Sequence, residues 1–244
     1  MAVTIAISGK GGSGKTTLAA MMIRVLLSKQ GRSILAVDAD PNSCLGLALG
    51  VEAGSTIADI REQTRQKQPT NDGVDKLRTI EYDMQQAVTE AKGFDLLTMG
   101  RSEGPSCYCA INNLLRKFLD KLNSAYNFVV IDNEAGMEHL SRRTTNNVDL
   151  LCIVADATPV GEVTAARIFE LVKTLPISVK QIGVIWNRTE NAKKLEGLET
   201  LGSVPYDNEV YELSMRNASV FDINQNNRVL SAVRKILDEK LKNF

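Results

Sequence analysis

The sequence predicts a doubly wound α/β fold: a mostly parallel sheet of about seven strands with helices on both faces. Three observations carry this expectation. Short apolar runs rich in β-branched residues alternate along the 244 residues with longer stretches of helical periodicity. The runs are continuous rather than alternating, which suits strands covered on both sides. The first run passes directly into a glycine-rich turn and then a helix, so ligands belong at the carboxyl ends of the strands.

Each element follows in order. VTIAIS (3–8) reads as the first strand, and residues 16–30 as a helix closed by Gly31. SILAVD (33–38) is the second strand. FDLLTMG (94–100), YNFVVID (126–132), DLLCIVAD (149–156) and KQIGVIWN (180–187) are further strands, with a shorter one in LGSVP (201–205). Helical patterns fill 110–124, 160–174 and 226–242. Residues 61–76 are the most polar stretch and read as a surface insertion. No internal repeat or low-complexity tract interrupts the pattern, so residues 1–244 are expected to form a single domain.

Composition narrows the possible partners. Lys+Arg and Asp+Glu are both 29, giving a formal net charge of zero. Such a balance lacks the broad basic surface of a non-specific nucleic-acid binder. The chain has no long apolar run of membrane-spanning length and no basic, cleavable leader, so a cytoplasmic location without membrane attachment is expected. The four cysteines, Cys44, Cys107, Cys109 and Cys152, are then expected to be thiols rather than disulfides.

The strongest chemical signal is GKGGSGKTT at 9–17. Gly9, Gly14, Lys15 and Thr16 fit the phosphate-loop pattern G-x-x-x-x-G-K-[ST]. Backbone N–H groups of residues 9–17, including Gly11, Gly12, Ser13 and Thr17, can curl around phosphate oxygens at the positive end of the following helix. Lys15 can bridge the β- and γ-phosphates of a nucleotide, and the Thr16 hydroxyl can ligate Mg²⁺. Lys10 comes too early in the loop to share the role of Lys15 on the same nucleotide. FVVID ends at Asp132, at the position of a carboxylate that holds Mg²⁺ through water, and DADPN (38–42) follows the second strand. A bland reading of these aspartates is turn capping. Their place at the ends of two strands beside a phosphate loop favours the catalytic one.

With both lysines in place, K-G-G-x-G-K-[ST]-T resembles the deviant Walker A loop of the MinD/ParA/nitrogenase-iron-protein group, the SIMIBI ATPases. The resemblance implies that Lys10 reaches across a homodimer to the partner's ATP and so couples dimerisation to hydrolysis. It implies that DADPN is switch I, with Asp40 orienting or activating the attacking water, Pro41 beside it and Asp38 supporting the metal site. DNEAG (132–136) is similar to switch II, where Gly136 would follow the γ-phosphate. Asn187 resembles the asparagine that contacts adenine, and VPYD (204–207) the second purine loop, with Pro205 and Asp207 nearest the base. WNRTE has Arg188 and Glu190 where the N-K-x-D tetrad of GTPases has Lys and Asp, which favours ATP over GTP.

The load driven by this engine is suggested by GRSEGPSCYCAINNLLR (100–116). Cys107 and Cys109 form C-x-C between a strand and a helix, and thiols two residues apart can point the same way in extended chain. A lone cysteine is usually a small buried residue. A pair flanked by Gly104, Pro105 and Ser106 reads better as soft metal ligands. Two thiolates are half of a tetrahedral Zn²⁺ or square-planar Ni²⁺ site. Two copies of the chain meeting across a two-fold axis would complete it.

EGPSCYC, with Asn113, Leu115 and Arg116 downstream, is similar to nickel-insertion ATPases of the CooC and AcsF type. DADPN, DNEAGMEHLSRR and VPYD extend the likeness along the chain. One departure is Ser106, where the family pattern has glycine. The resemblance implies ATP/ADP and Mg²⁺ at the loop, Ni²⁺ at the shared cysteines (a site Zn²⁺ can also occupy) and a Ni–Fe–S client. That client would be carbon monoxide dehydrogenase or acetyl-CoA synthase.

Two other loads share the engine. An electron-transfer ATPase with a shared [4Fe–4S] cluster also needs two cysteines per chain. In the nitrogenase-iron-protein family, however, these come from separated segments. A MinD-like spatial organiser needs a membrane helix, yet Val229, Val233, Ile236, Leu237 and Leu241 read as a core-packing stripe. A ParA-like DNA partitioner lacks the charge. His139 reads as a surface or capping residue and Trp186 as core.

Overall fold

A computed structural model of the chain describes residues 2–29, 31, 33–66, 82–101, 118, 122, 125–134 and 147–243. One sheet of eight strands runs through them, in the order β3-β4-β2-β5-β1-β6-β7-β8. The strands are β1 (Val3–Gly9), β2 (Ile34–Ala39), β3 (Val88–Glu90), β4 (Phe94–Thr98), β5 (Phe128–Asn133), β6 (Asn147–Asp156), β7 (Ser178–Asn187) and β8 (Glu199–Val204). All pair in parallel except β3, which runs antiparallel to β4 at one edge. The α/β architecture is therefore the one the sequence predicts. The additional strand is β3, two half-buried residues and an exposed one with no apolar run to announce them.

The parallel strands are buried because helices cover both faces. β5 is buried at every position, and β1 at all but its first. On one face lie α1 (Lys15–Leu27), α2 (Leu45–Leu49) and the C-terminal helix, with Leu18, Met22, Ile23 and Leu26 packed against Ile5, Ile7 and Val130. On the other face Ile57 and Ile60 of α3 (Ile57–Gln66) and Ala165, Ile168 and Val172 of α4 (Pro159–Thr174) cover Ala6, Ile131 and Ile153. α3 takes in the start of the polar stretch at 61–76, so that stretch opens as helix.

Local chemistry sets where the helices begin. Thr158 caps α4 by accepting from the Gly161 N–H at 3.1 Å, and Pro159 at the first turn costs no hydrogen bond. α5 (Asn208–Met215) is capped by Asp207 and α6 (Arg228–Lys240) by Asn227, whose side chain accepts from Val229 N at 2.8 Å. Val229, Val233, Ile236 and Leu237 of α6 are buried in the core, with Leu241 packed beside them, so the C-terminal stripe is a packing face. No helix among the described residues is long and apolar enough to cross a membrane.

The order of strands positions the site. β1 lies between β5 and β6, and the chain turns from β1 through α1 to β2 on one side while β6 and β7 extend to the other. The ends of β1, β2, β5, β6 and β7 converge where the sheet changes winding direction, and a crevice opens there in folds of this kind.

Candidate functional site

The turn after β1 and the start of α1 form the centre of the site. α1 has no side-chain cap; its N-cap is Gly14, in the left-handed region at φ 91°. The first N–H groups of a helix have no intrahelical partner, and here they face the turn. Gly12 is also left-handed, at φ 79°, and a side chain there would meet nothing within 4 Å. Gly12 is exposed, with open space beside it. Ser13 is buried and its N–H donates to the Lys10 carbonyl at 3.1 Å, closing the turn. Lys15 is 7% exposed, held inside the site, whereas Lys10 is exposed at its rim.

Two carboxylates meet this loop from neighbouring strands. Asp38 of β2 and Asp132 of β5 are register partners, both fully buried. The Thr16 hydroxyl donates to Asp132 Oδ2 at 2.6 Å, while Asp132 Oδ1 has no hydrogen-bond partner among the described residues. Asp38 Oδ2 accepts from the Leu45 N–H at 2.8 Å and so returns the DADPN segment onto the start of α2. Burial pushes the Asp132 carboxyl up to about 6, against the opposing pull of the Thr16 hydroxyl and Lys15. Burial likewise pushes Asp38 up to about 7, opposed by the Leu45 N–H and reinforced by Asp132. A hydroxyl, two buried carboxylates and an orphaned carboxylate oxygen make a hard oxygen donor set that fits Mg²⁺.

These shifts give a pH prediction. Both carboxyls hold their protons more tightly in the fold than at their ordinary value of 3.8. The native state then binds more protons than the unfolded chain between about pH 4 and pH 7, and stability falls as pH rises through that window. Nucleotide-free protein should lose melting temperature from pH 5 to pH 7 in the absence of Mg²⁺. Asp38→Asn should flatten that slope in differential scanning calorimetry; an unchanged slope would assign it to other groups.

Asp40 is turned toward its own loop. Its Oδ1 accepts from the Asn42 backbone N–H at 2.9 Å and from the Asn42 side chain at 2.8 Å. Pro41 is exposed beside it. Next in the loop, Cys44 is exposed, and its thiol donates to the Asn42 carbonyl at 3.4 Å. Cys152 is buried in β6, where burial pushes its thiol up to about 12, which fits an inert core residue.

A cleft beside the loop joins Gly14 and Thr17 to the far strands. Asn187, Arg188, Pro205, Tyr206 and Asp207 line it, with Tyr211 of α5. The structure therefore gathers Thr17, Asn187, Pro205 and Asp207 as the sequence suggests. It also commits two of them to the fold. Asn187 Nδ2 donates to the Ser13 carbonyl at 2.7 Å, and Asp207 Oδ1 accepts from Val210 N at 3.3 Å and Asn227 Nδ2 at 3.1 Å.

Tyr206 belongs to the VPYD segment read from the sequence as a purine loop, whereas Tyr211 was not foreseen as a cleft residue. Their rings lie 6.4 Å apart, both about half exposed, and present aromatic surface to whatever enters. Asn133 was also missed. It is fully buried and donates to the Ile7 carbonyl at 3.2 Å, with its own oxygen unpartnered among the described residues. A polar residue closing the apolar run FVVIDN was the available signal.

Cys107, Cys109, Gly136 and His139 lie outside the described residues. Among those described, no group of three or more His, Cys, Asp or Glu could hold a metal ion. What the structure does describe is the approach to the cysteine segment. β4 ends at Thr98, the register partner of Asp38, and Met99 N donates to the Asp38 carbonyl at 2.8 Å. Gly100 follows in the left-handed region at φ 70°. The chain thus leaves β4 at the strand end adjoining Asp38 of β2.

Comparison with known proteins decides the family. The model of the CobQ/CobB/MinD/ParA nucleotide-binding domain matches residues 4–220. The chain belongs to this family of P-loop ATPases. It is 42% identical to an ATP-binding protein of Methanocaldococcus jannaschii, over 96% of this chain and 97% of that protein. It is 31% identical to the carbon monoxide dehydrogenase accessory protein CooC of Rhodospirillum rubrum, over 90% of this chain and 89% of that one. In fold, this ATPase superposes on MinD of Pyrococcus horikoshii, a protein crystallised with Mg-ADP, at a TM-score of 0.69 and 21% identity. That match covers 100% of this chain and 97% of MinD. A ParA family ATPase of Chlorobium tepidum gives 0.71 at 18% identity, over 100% and 99% of the two chains.

Proposed function

We propose that this ATPase is a nucleotide-gated, homodimeric metallochaperone that delivers Ni²⁺ to a Ni–Fe–S enzyme, either carbon monoxide dehydrogenase or acetyl-CoA synthase. The observation that carries the reading is the pair Cys107 and Cys109 in GRSEGPSCYC, a sequence that follows β4. The Met99 N–H donates to the Asp38 carbonyl at 2.8 Å, so the strand that precedes the cysteine segment in sequence ends beside the DADPN loop. The 31% identity to CooC across nine-tenths of the chain supports the same load.

In this reading the loop amides of residues 9–17 and the Lys15 ammonium hold the β- and γ-phosphates of ATP. Bound Mg²⁺ supplies charge neutralisation at the phosphates, and Thr16, Asp132 and Asp38 are the residues that would hold it. Asp40 positions the attacking water once its loop is drawn toward the γ-phosphate, with Pro41 shaping the turn and Gly136 closing from switch II. Lys10 serves the partner's nucleotide, because its exposed ammonium stands at the rim while Lys15 fills the interior. Asn187, Pro205 and Asp207 border the base.

The cargo is held by two Cys107–Cys109 pairs, one from each protomer, as four thiolates around Ni²⁺. Zn²⁺ is the natural competitor for such a site. Cys107→Ser together with Cys109→Ser should remove about one metal per two chains in anaerobic equilibrium dialysis. Unchanged stoichiometry would reject the shared site. Iron with a visible absorbance band in the anaerobically purified protein would point to an electron-transfer cluster instead.

A further inference from the structure

We infer that Asn187 is a positioning residue of the phosphate loop, acting on the phosphate-binding peptide itself and independently of any purine. It closes β7, is 8% exposed, and pairs in register with Asp156 of β6 and Val204 of β8. Both ends of its amide are engaged. Nδ2 donates to the Ser13 carbonyl at 2.7 Å, and Oδ1 accepts from the Arg188 N–H at 3.0 Å. Arg188 is one of the few non-glycine residues at positive φ among those described, at 58°, and the short ring closed by its N–H fixes which way the amide faces.

The bond to Ser13 has a direct consequence for anion binding. A planar trans peptide directs its N–H opposite to its C=O. Pinning the Ser13 carbonyl toward Asn187 therefore aims the Gly14 N–H away from it. That N–H belongs to the N-cap of α1, among the donors a helix start leaves unpaired. The fit is tight enough to exclude any side chain at position 14. A Cβ on Gly14 would lie 2.4 Å from Asn187 Nδ2, apart from the strain of φ 91°. Glycine here makes room for Asn187 as well as for the turn. Without Asn187, the buried Ser13 carbonyl would lose its partner, and the peptide would be free to turn.

A base reader and a loop positioner differ in what their loss costs. Binding of ATP and of inorganic tripolyphosphate should be measured by calorimetry on the full chain, for the native protein, Asn187→Ala and the isosteric Asn187→Asp, which cannot donate to a carbonyl. Both ligands should weaken by a similar factor of about ten in each variant, leaving their affinity ratio unchanged. Weaker ATP binding with unchanged tripolyphosphate binding would make Asn187 a base reader and overturn the inference, as would no loss for either ligand. A readout on the native chain covers the case in which the variants do not fold. The Asn187 side-chain amide resonance should shift on adding tripolyphosphate and stay in place on adding adenosine; a response to adenosine alone contradicts the inference.

Discussion

Lys15→Ala should abolish measurable ATP turnover, lowering kcat/KM by at least about a thousandfold. Lys15 is buried in the loop, close enough to pull Asp132 downward against burial. In that setting its ammonium offsets charge on phosphate oxygens with little screening by water. Alanine removes the cation and leaves Asp132, Asp38 and the triphosphate facing one another. Steady-state phosphate release is the measurement, with a nucleotide-binding assay to separate lost affinity from lost chemistry. Retention of a tenth of native turnover would show that Lys15 is not the principal cation of the site.

Lys10→Ala should lower turnover by about a hundredfold while nucleotide affinity stays within about threefold of native. The substitution is unusually clean. The structural contribution of residue 10 is its backbone carbonyl, which accepts from Ser13 N at 3.1 Å and survives the change to alanine. Only the exposed ammonium is lost. If that ammonium serves the partner's ATP, native protein mixed with Lys10→Ala should recover part of the turnover through mixed dimers. Full hydrolysis by Lys10→Ala alone would remove the reason to connect this lysine to a second chain.

Much of the fold was legible because parallel strands buried on both faces write continuous apolar runs. β5, buried at all of its positions, is spelled FVVIDN. The phosphate loop was legible for a related reason: the residues it requires are contiguous. The short helices α2 and α3 escaped notice although each buries apolar residues, and two further elements that escaped it lack a buried face. β3 has only three residues, none buried, and α5 buries none of its eight. Neither generates the periodicity on which sequence reading depends.

The site was legible in its members and less so in their bonds. Asp38 and Asp132 stood out as acidic residues ending apolar strands, and they prove to be register partners. The tether from Asn187 to Ser13 spans 174 residues and leaves no local trace. In sequence Asp207 reads as a base contact, whereas its carboxylate caps α5 and holds Asn227. Asp40 likewise spends one oxygen on Asn42. Polar residues beside a ligand cleft first satisfy the backbone around them, and sequence alone does not reveal which partner they choose.

In the proposed function, nucleotide state controls a metal site shared by two chains. Anaerobic Ni²⁺ titration of apo, ADP-bound and ATP-bound protein, with oligomeric mass recorded in each state, tests it most directly. Saturation is expected at one Ni²⁺ per two chains, with a dimeric mass whenever the metal is bound and an affinity that differs between the ADP and ATP states. One Ni²⁺ per monomer, or the same affinity in all three states, would contradict it.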